Sequence, residues 1–413
     1  MRLALFIDGT FIPERDGASA RFSQMPRHLT RQGTDLVVFH CYRGWSSLAR
    51  IAREPFRTYF FPPEVFYGDL DCLVGLVREA GVTMIQMNDA ETIRRIGFPL
   101  AEAVGLKIIY EAHYHTSTLA AALGAQSERV QALRRLESDV SSHVDRIIVF
   151  TEADRDRWVS ISGCPPDRIT IVPFGVHEVN QLSSARKRRA VAFLGNLFYE
   201  PNKRAIERIV SEILPAVLAL RPETPFIVIG DIPEDVRLMC SDAGIRVIGE
   251  VLNPQTWLAN AAVGLAPISE GSGVRVKILQ YLAAGIPVVA TTIAAEGLAL
   301  PAVFIEDDPY EAALRCVDIL DRPADYASSV RATTRQLQEQ FLWSHIAQTA
   351  QRVYTELLHQ PAALRRAKPS DNFTAVPGWI EEVLQKGRFA NAQLHACDYR
   401  FGVAGSGSLA TYQ

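Results

Sequence analysis

The sequence lacks the features that mark several classes of protein. Its six cysteines form no CxxC pair, so their spacing argues against a zinc site or a disulfide framework. No apolar run approaches the ~18 residues that span a membrane, and Asp8 comes too early for a secretory leader. We therefore expect buried cysteines in a reducing compartment and a cytoplasmic protein with at most peripheral membrane contact.

An excess of charge of one sign is also missing. The chain has 43 Lys and Arg against 46 Asp and Glu, for a net charge of −3. This balance gives no indication of a nucleic-acid partner, which a basic stripe would give. The hydrophobic fraction of 48% and charged fraction of 22% are ordinary for a globular protein, and the 413 residues suggest two or three domains.

Short apolar runs alternate with amphipathic stretches, which is typical of βαβ units and parallel sheets. In the first half, strands are predicted at residues 3–7, 36–40, 84–87, 107–112, 146–150 and 169–172. Apolar residues at near-helical spacing predict one long helix over 117–143. Together these elements predict an N-terminal Rossmann-like domain over residues 1–180.

A polar, basic stretch at 178–190 has no apolar periodicity and predicts an interdomain linker. Beyond it, strands are predicted at 190–195, 226–230, 246–249, 263–267, 287–291 and 303–305, with a helix at 205–220. These elements predict a second Rossmann-like domain over 187–342. A closing helix at 343–358 is expected to cross back to the first domain, followed by an extension of unknown role at 359–413.

The most informative stretch is residues 267–298, PISEGSGVRVKILQYLAAGIPVVATTIAAEGL. A strand ends there, a Gly/Ser loop follows, and a helix is predicted from about Val274. A helix N-terminus attracts anions, and glycines allow a ligand to approach the backbone. The loop and first turn carry the residues expected of a diphosphate site: Gly271, Ser272, Gly273, Arg275 and Lys277. A plain strand–helix turn with solvated basic residues is the alternative.

This stretch resembles the signature of the retaining glycosyltransferases of family 4, which have the GT-B fold. That fold is α/β, with two doubly wound Rossmann-like domains facing each other across a cleft. Further segments resemble the family in the same order along the chain: DGASAR, RIIVFTEADRDRW, VPFGVH and FLGNLFYEPNKR. The resemblance covers roughly residues 1–357. It implies transfer of a sugar from a UDP- or GDP-type nucleotide sugar with retention of anomeric configuration. The acceptor side is then the domain at 1–180, and the nucleotide-sugar-binding domain is the one at 187–342.

The resemblance also implies roles for particular residues. His113 and Glu270 correspond to catalytic residues beside the donor sugar, with His115 as a rival to His113. A carboxylate at Glu270 can accept hydrogen bonds from sugar hydroxyls and stabilise positive charge at the anomeric carbon; a helix N-cap is the alternative. The donor-binding residues implied are Gly17, Gly195, Lys203, Gly271, Ser272, Gly273, Arg275, Lys277, Gln280 and Glu296.

Two departures from the family pattern affect the expected donor contacts. Asn196 stands where many relatives have arginine, which shifts the expected phosphate contacts to Arg275 and Lys277, with Lys203 as a helper. Gln280 stands where the family usually has glutamate. It is kept as a ribose contact because an amide both donates and accepts hydrogen bonds.

No metal or cofactor besides the nucleotide-sugar donor is predicted. Asp69 and Asp71 lie in a helical stretch and are expected to be surface acids rather than a metal-binding pair. Cations and a helix N-terminus can stabilise the leaving diphosphate without a metal. The acceptor is expected to be a sugar, a lipid-linked sugar or a small natural product. A sugar-nucleotide epimerase on the same fold and a non-catalytic nucleotide-binding partner are the alternative functions.

Overall fold

The computed structural model describes residues 1–9, 11–12, 14, 16–44, 47–177, 179, 188–251, 253–270 and 276–360. The strands are β1 (Arg2–Asp8), β2 (Asp35–Cys41), β3 (Arg57–Phe61), β4 (Met84–Met87), β5 (Lys107–Glu111), β6 (Arg146–Val149), β7 (Ile169–Ile171), β8 (Ala190–Leu194), β9 (Phe226–Ile229), β10 (Arg246–Gly249), β11 (Ala261–Ala266), β12 (Val288–Ala290) and β13 (Val303–Ile305).

The α-helices around the first sheet are α1 (Gly17–Arg31), α2 (Leu48–Ile51), α3 (Pro63–Gly68), α4 (Leu70–Glu79), α5 (Ala90–Thr92), α6 (Phe98–Val104), α7 (Thr116–Ala122), α8 (Ser127–His143) and α9 (Glu152–Ser162). Those that follow are α10 (Glu200–Arg208), α11 (Leu214–Leu220), α12 (Glu234–Asp242), α13 (Pro254–Leu258), α14 (Val276–Ala283), α15 (Thr292–Ala295), α16 (Pro309–Asp321), α17 (Pro323–Gln336) and α18 (Trp343–Leu358).

Within the described residues the strands form two parallel sheets. The first has the order β3-β2-β1-β4-β5-β6-β7, and the second has the order β10-β9-β8-β11-β12-β13. The central strands are apolar runs buried on both faces, such as β1 and β8, because helices cover both sides of each sheet. The α/β class with two doubly wound domains, expected from the alternating pattern, is confirmed.

The predicted strands all lie within two residues of observed ones. One observed strand, β3, was not predicted. It is an edge strand in which Arg57, Tyr59 and Phe60 are partly exposed, and its sequence, RTYFF, begins with two polar residues and gives no long apolar run. Two prolines follow it and obscure the strand further.

The prediction of one helix over 117–143 is wrong. The stretch forms α7 and α8, and the chain between them includes Gly124 at φ +79°. A glycine in the left-handed region is a common way to end a helix, because other residues rarely adopt that conformation. The helix predicted at 205–220 begins earlier, at Glu200, and contains a π-helical turn at Ile209–Ile213.

The closing helix α18 has the predicted bounds and packs against α1 beside the first sheet. Gln32 donates a hydrogen bond to the Ser344 carbonyl at 2.7 Å, and the Tyr354 hydroxyl donates to Gln86 of β4 at 2.8 Å. A helix that follows the second sheet in sequence is thus attached to the first.

Among the described residues, Cys41, Cys164, Cys240 and Cys316 are buried, Cys72 is partly buried, and all five are free thiols. In the same part of the chain, no helix combines the length and apolar character that a membrane crossing requires.

Candidate active site

The first residue of α1, Gly17, lies close to the first described residue of α14, Val276. A Cβ atom built on Gly17 would lie 2.7 Å from Val276 Cγ2, so a larger residue at Gly17 would displace the first described turn of α14. The close approach therefore depends on glycine. It brings the N-terminal end of α1 against the second domain, where an anion would meet both.

The N-terminus of α1 is fixed by a capping box. The Asp16 side chain accepts a hydrogen bond from the Ser19 amide at 2.8 Å, and the Ser19 hydroxyl accepts one from the Asp16 amide at 2.9 Å. Helix geometry directs the remaining first-turn amides outward from the helix end. The capping box thus sets the direction in which those donors point.

Lys277 lies in the first turn of α14, and its ammonium reaches Phe193 of β8. Its side chain is buried, its ammonium donates to Asn202 Oδ1 at 2.7 Å, and it lies 4.2 Å from the centre of the Phe193 ring. A Cβ atom on Gly195 would come within 3.1 Å of Lys277 Nζ, so Gly195 leaves room for the ammonium. The structure thus places two predicted donor residues, Gly195 and Lys277, in contact.

Glu270 lies at the end of the segment that follows β11. Its Oε2 accepts a hydrogen bond from Arg204 Nη1 at 2.7 Å, and Arg204 Nε also donates to Glu200 at 3.2 Å. The Glu270 side chain is only 15% exposed. Arg204 was not among the predicted site residues. Its adjacency to Lys203 on a basic helix was the only signal in the sequence.

Lys203 points elsewhere. Its ammonium donates to Asp235 Oδ2 at 2.8 Å on the surface of the second domain. The Asp235 carboxylate raises the pKa of Lys203, and the same contact lowers the pKa of Asp235. In this arrangement Arg204, rather than Lys203, is the basic residue of α10 beside Glu270.

His113 follows β5 and lies in a buried charge cluster. Its Nε2 is 3.1 Å from Glu111 Oε2, while Arg21 donates to Glu111 Oε1 from Nε at 2.9 Å and from Nη2 at 2.7 Å. The His113 ring lies 5.2 Å from the ring of Phe22 and 5.3 Å from that of Phe150, measured between centres.

The charge state of Glu111 follows from competing effects. Burial alone raises the pKa of its carboxyl, but the Arg21 guanidinium and the hydrogen bond from His113 outweigh burial and lower the pKa to about 2. The carboxylate is therefore ionised at neutral pH and only accepts hydrogen bonds. It follows that the Nε2 atom of His113 carries the proton it shares with Glu111.

His115, the alternative catalytic histidine, is buried and has different contacts from those of His113. Its ring packs against Trp158 with 4.0 Å between centres, and neither ring nitrogen has a hydrogen-bond partner among the described residues. Burial, with a smaller effect of Arg157, lowers the pKa of His115 to about 3. The structure therefore holds His115 as a neutral, buried ring.

The other predicted donor residues are dispersed. Glu296 accepts a hydrogen bond from Arg157 Nη2 at 2.5 Å, which links the second domain to α9 of the first. Gln280 lies half-buried on α14, where its backbone carbonyl accepts a hydrogen bond from Gln255 Nε2 at 3.2 Å. The predicted loop residues Gly271, Ser272, Gly273 and Arg275 lie outside the described residues.

Comparisons with known proteins place these features in a family. The sequence matches the family described as Glycosyltransferase Family 4 over residues 15–178 and the one described as Glycosyl transferases group 1 over residues 188–322. The two matched ranges together span most of the chain. This chain belongs to the group 1, family 4 glycosyltransferases.

A curated relative of this glycosyltransferase is the D-inositol 3-phosphate glycosyltransferase of Acidothermus cellulolyticus, 26% identical over 224 residues. That alignment covers 48% of this chain and 50% of the relative, so the chain spans about half the length of the curated relative it matches.

Solved structures share the fold of this glycosyltransferase. A glycosyltransferase from Rickettsia africae ESF-5 has a TM-score of 0.68 at 11% identity, covering 87% of this chain and 99% of the other. Anabaena HepE in complex with UDP has a TM-score of 0.68 at 13% identity, covering 86% and 100%. Sucrose-phosphate synthase from Thermosynechococcus elongatus has a TM-score of 0.66 at 15% identity, covering 86% and 99%. The GT-B fold expected from the resemblance is confirmed.

Acidic residues of this glycosyltransferase do not gather into a metal site in the described part of the chain. No group of three His, Cys, Asp or Glu side chains there could hold a metal ion. Asp69 caps α4 by accepting a hydrogen bond from the Cys72 amide at 2.9 Å, and Asp71 lies in the first turn of that helix. Asp69 thus caps a helix, and Asp71 is exposed on its surface.

Proposed function

We propose that this glycosyltransferase transfers a sugar from a UDP- or GDP-type nucleotide sugar to a hydroxyl-bearing acceptor, with retention of anomeric configuration. The observation that carries the proposal is the close approach of Gly17, at the start of α1, to Val276, at the start of α14 and next to Lys277 in sequence. Helix N-termini attract anions, and with the positive charge of Lys277 these two helix starts are proposed to bind a diphosphate.

The donor-binding half of the proposal rests on the second domain. Lys277 of α14, whose ammonium contacts Asn202, neutralises phosphate charge, and Arg275, two residues before it in sequence, is proposed to add a second cation. The Anabaena neighbour of similar fold is in complex with UDP, which supports a uridine nucleotide as the first donor to test. Gln280, on the same helix as Lys277, is proposed as a ribose contact and Glu296 as a residue near the nucleotide.

The reacting end of the donor is proposed to lie between the two domains. Glu270 accepts hydrogen bonds from sugar hydroxyls and stabilises positive charge at the anomeric carbon, while Arg204 holds its carboxylate from the other side. His113 contacts the sugar from the first domain. The bond from the anomeric carbon to the diphosphate breaks, the bond to the acceptor oxygen forms on the same face, and the acceptor proton passes to the leaving phosphate.

Metal-independent transfer is part of the same proposal. Lys277, Arg275 and the helix end supply positive charge where negative charge develops on the leaving diphosphate. The acceptor is proposed to be a sugar, a lipid-linked sugar or a small natural product. Because the Acidothermus relative is named for D-inositol 3-phosphate, an inositol phosphate is proposed as one of the first acceptors to test.

A thermal-shift panel of UDP, GDP, ADP and TDP, with and without magnesium, tests the donor site. A ligand at a hundredfold over its dissociation constant adds about 2.7 kcal/mol of stability. We expect one nucleotide to raise the unfolding midpoint by several degrees without magnesium. Lys277→Met should abolish most of that shift, whereas Arg221→Met, which removes an exposed arginine paired with Asp321, should retain it.

A transfer assay with the nucleotide sugar of the identified base tests catalysis. Glu270→Gln should lower turnover on the order of a hundredfold while nucleotide binding persists. Proton NMR of the product reports retention or inversion at the anomeric carbon. If no nucleotide shifts the midpoint, the donor site is absent and the proposal fails; conversion of donor without acceptor would instead favour an epimerase.

A further inference from the structure

An ion pair joins α1 to β5 inside the first domain. Arg21 and Glu111 are 1% and 3% exposed, and two nitrogens of the guanidinium donate to the same oxygen, Glu111 Oε1. The third nitrogen, Nη1, donates to the Pro173 carbonyl at 2.7 Å. The guanidinium is thus fixed by the carboxylate and by the backbone that follows β7.

Stability alone does not account for this pair. Removing two charges from water costs several kcal/mol each, and replacing a buried ion pair with well-packed apolar residues is often neutral or stabilising. The two carboxylate oxygens of Glu111 also divide their contacts: Oε1 accepts from Arg21, and Oε2 faces His113 Nε2 at 3.1 Å. The arrangement directs one oxygen at the histidine.

The contact fixes both the tautomer and the orientation of the ring. Because Glu111 is ionised, His113 Nε2 carries the hydrogen it donates, and Phe22 and Phe150 confine the ring on its sides. Among the described residues, no hydrogen-bond partner contacts His113 Nδ1. The ring thus has one nitrogen committed to the protein and one available to a ligand.

We propose that Glu111 is a positioning residue that, held by Arg21, fixes His113 with Nε2 toward the protein and Nδ1 toward the donor sugar. This inference rests on the proposed function, which assigns the sugar contact to His113. In the neutral ring, Nδ1 accepts a hydrogen bond from a sugar hydroxyl. A pre-positioned acceptor reduces the reorganisation needed to reach the transition state.

Three variants test the proposal. Glu111→Gln keeps the shape of the side chain but removes its charge, and the double variant Arg21→Met/Glu111→Gln also removes the charge that would be left unpaired. Glu137→Gln is the matched control. Glu137 is another buried carboxylate of the first domain, and it accepts hydrogen bonds from Ser117 rather than from a histidine.

We expect Glu111→Gln and the double variant to lower kcat on the order of tenfold to a hundredfold, as loss of an orienting partner does elsewhere. The KM for the donor should change less than about threefold, because the nucleotide contacts lie in the second domain. Glu137→Gln should keep wild-type kcat. If the double variant recovers both the wild-type unfolding midpoint and the wild-type kcat, Glu111 has only a structural role and the proposal is overturned.

Histidine-selective ¹⁵N NMR gives a readout that does not depend on activity. Wild type should show His113 with a proton on Nε2, and Glu111→Gln should alter this tautomer distribution, with the His113→Asn variant assigning the signal. An unchanged His113 signal in Glu111→Gln overturns the positioning role. A changed signal in a protein that transfers no sugar keeps the positioning role and overturns the transferase proposal instead.

Discussion

Two histidines that lie two residues apart after β5 have opposite environments. His113 is bonded to an ionised carboxylate that a buried arginine holds, whereas His115 packs against Trp158 with neither ring nitrogen bonded to a described residue. Both side chains are largely buried: 8% of the His113 side chain is exposed and 1% of His115. Burial therefore does not distinguish the two rings; the partners of their nitrogens do.

The difference arises from which elements surround each ring. His113 lies against α1 and the end of β6, where Arg21 brings a charge into the core and Glu111 balances it. His115 is the N-cap position of α7, and its ring meets α9 through Trp158. The one histidine gains a partner that keeps Nε2 protonated, and the other gains only apolar contact and a nearby cation, Arg157.

The strongest way to break this comparison is to remove the arginine behind His113. Arg21→Met leaves the Glu111 carboxylate buried without its main partner, so we expect a loss of about 3–5 kcal/mol in the free energy of unfolding. The corresponding fall in the unfolding midpoint is on the order of 10 °C. Equilibrium denaturation and thermal scans measure both quantities.

A matched control for that variant is Arg237→Met, because Arg237 is exposed and its partner, Glu234, lies 3.4 Å away on the same helix. Exposed pairs contribute about 0–1 kcal/mol, so this change should be small. Equal losses in the two variants would show that the Arg21–Glu111 pair contributes no more than a surface pair, and the contrast between the two histidines would lose its basis.

The free energy of unfolding measured as a function of pH tests the environment of His115. Its pKa is lowered from about 6.5 to about 3, so the unfolded chain binds a proton that the folded chain excludes as the pH falls through this window. The contribution of this pKa difference to the free energy of unfolding is fully present above pH 6.5 and is lost as the pH falls below it. At pH 5 the loss amounts to about 2 kcal/mol.

His115→Phe removes this source of acid sensitivity. We expect the variant to lose about 2 kcal/mol less than wild type between pH 7 and pH 5, measured by urea denaturation at each pH. His40, whose pKa is lowered to about 4 mainly by burial, is present in both proteins and cancels in the difference. His359→Phe, at an exposed position, controls for loss of an imidazole. Parallel curves for wild type and His115→Phe would contradict a buried, neutral His115.

The sequence was sufficient to predict the two sheets because each central strand is an apolar run bounded by turns and helices. The resemblance singled out Gly17, Gly195 and Lys277; the structure shows Gly17 close to Val276 and Gly195 beside Lys277, and their roles in donor binding stay predictions. These predictions depend on local pattern, and local pattern is what a single sequence records. Gly124 marks the break of the long predicted helix, but apolar residues at near-helical spacing lie on both sides of it and obscure the break.

The contacts that join distant parts of the chain were not predictable. Arg21 lies 90 residues before Glu111, and nothing in either segment marks the pair. Likewise, the partners of Lys203 and Arg204, Asp235 and Glu270, depend on how α10 is rotated over the second sheet. Charged side chains on a helix have several acids within reach, so which one each binds is decided by tertiary packing rather than by spacing.

The smallest effect is expected from a substitution of Arg157, the cation near His115. Arg157 donates to Glu296 across the domains, but the two side chains are 24% and 36% exposed, so Arg157→Gln should cost less than about 1 kcal/mol at pH 7. Because Arg157 is the lesser cause of the lowered pKa of His115, the same variant should slightly reduce the acid sensitivity. Arg155→Gln, at a position two residues earlier on α9 whose side chain pairs with Glu152, is the control. If Arg157→Gln removed the acid sensitivity as fully as His115→Phe does, charge rather than burial would be the main cause of the neutral ring.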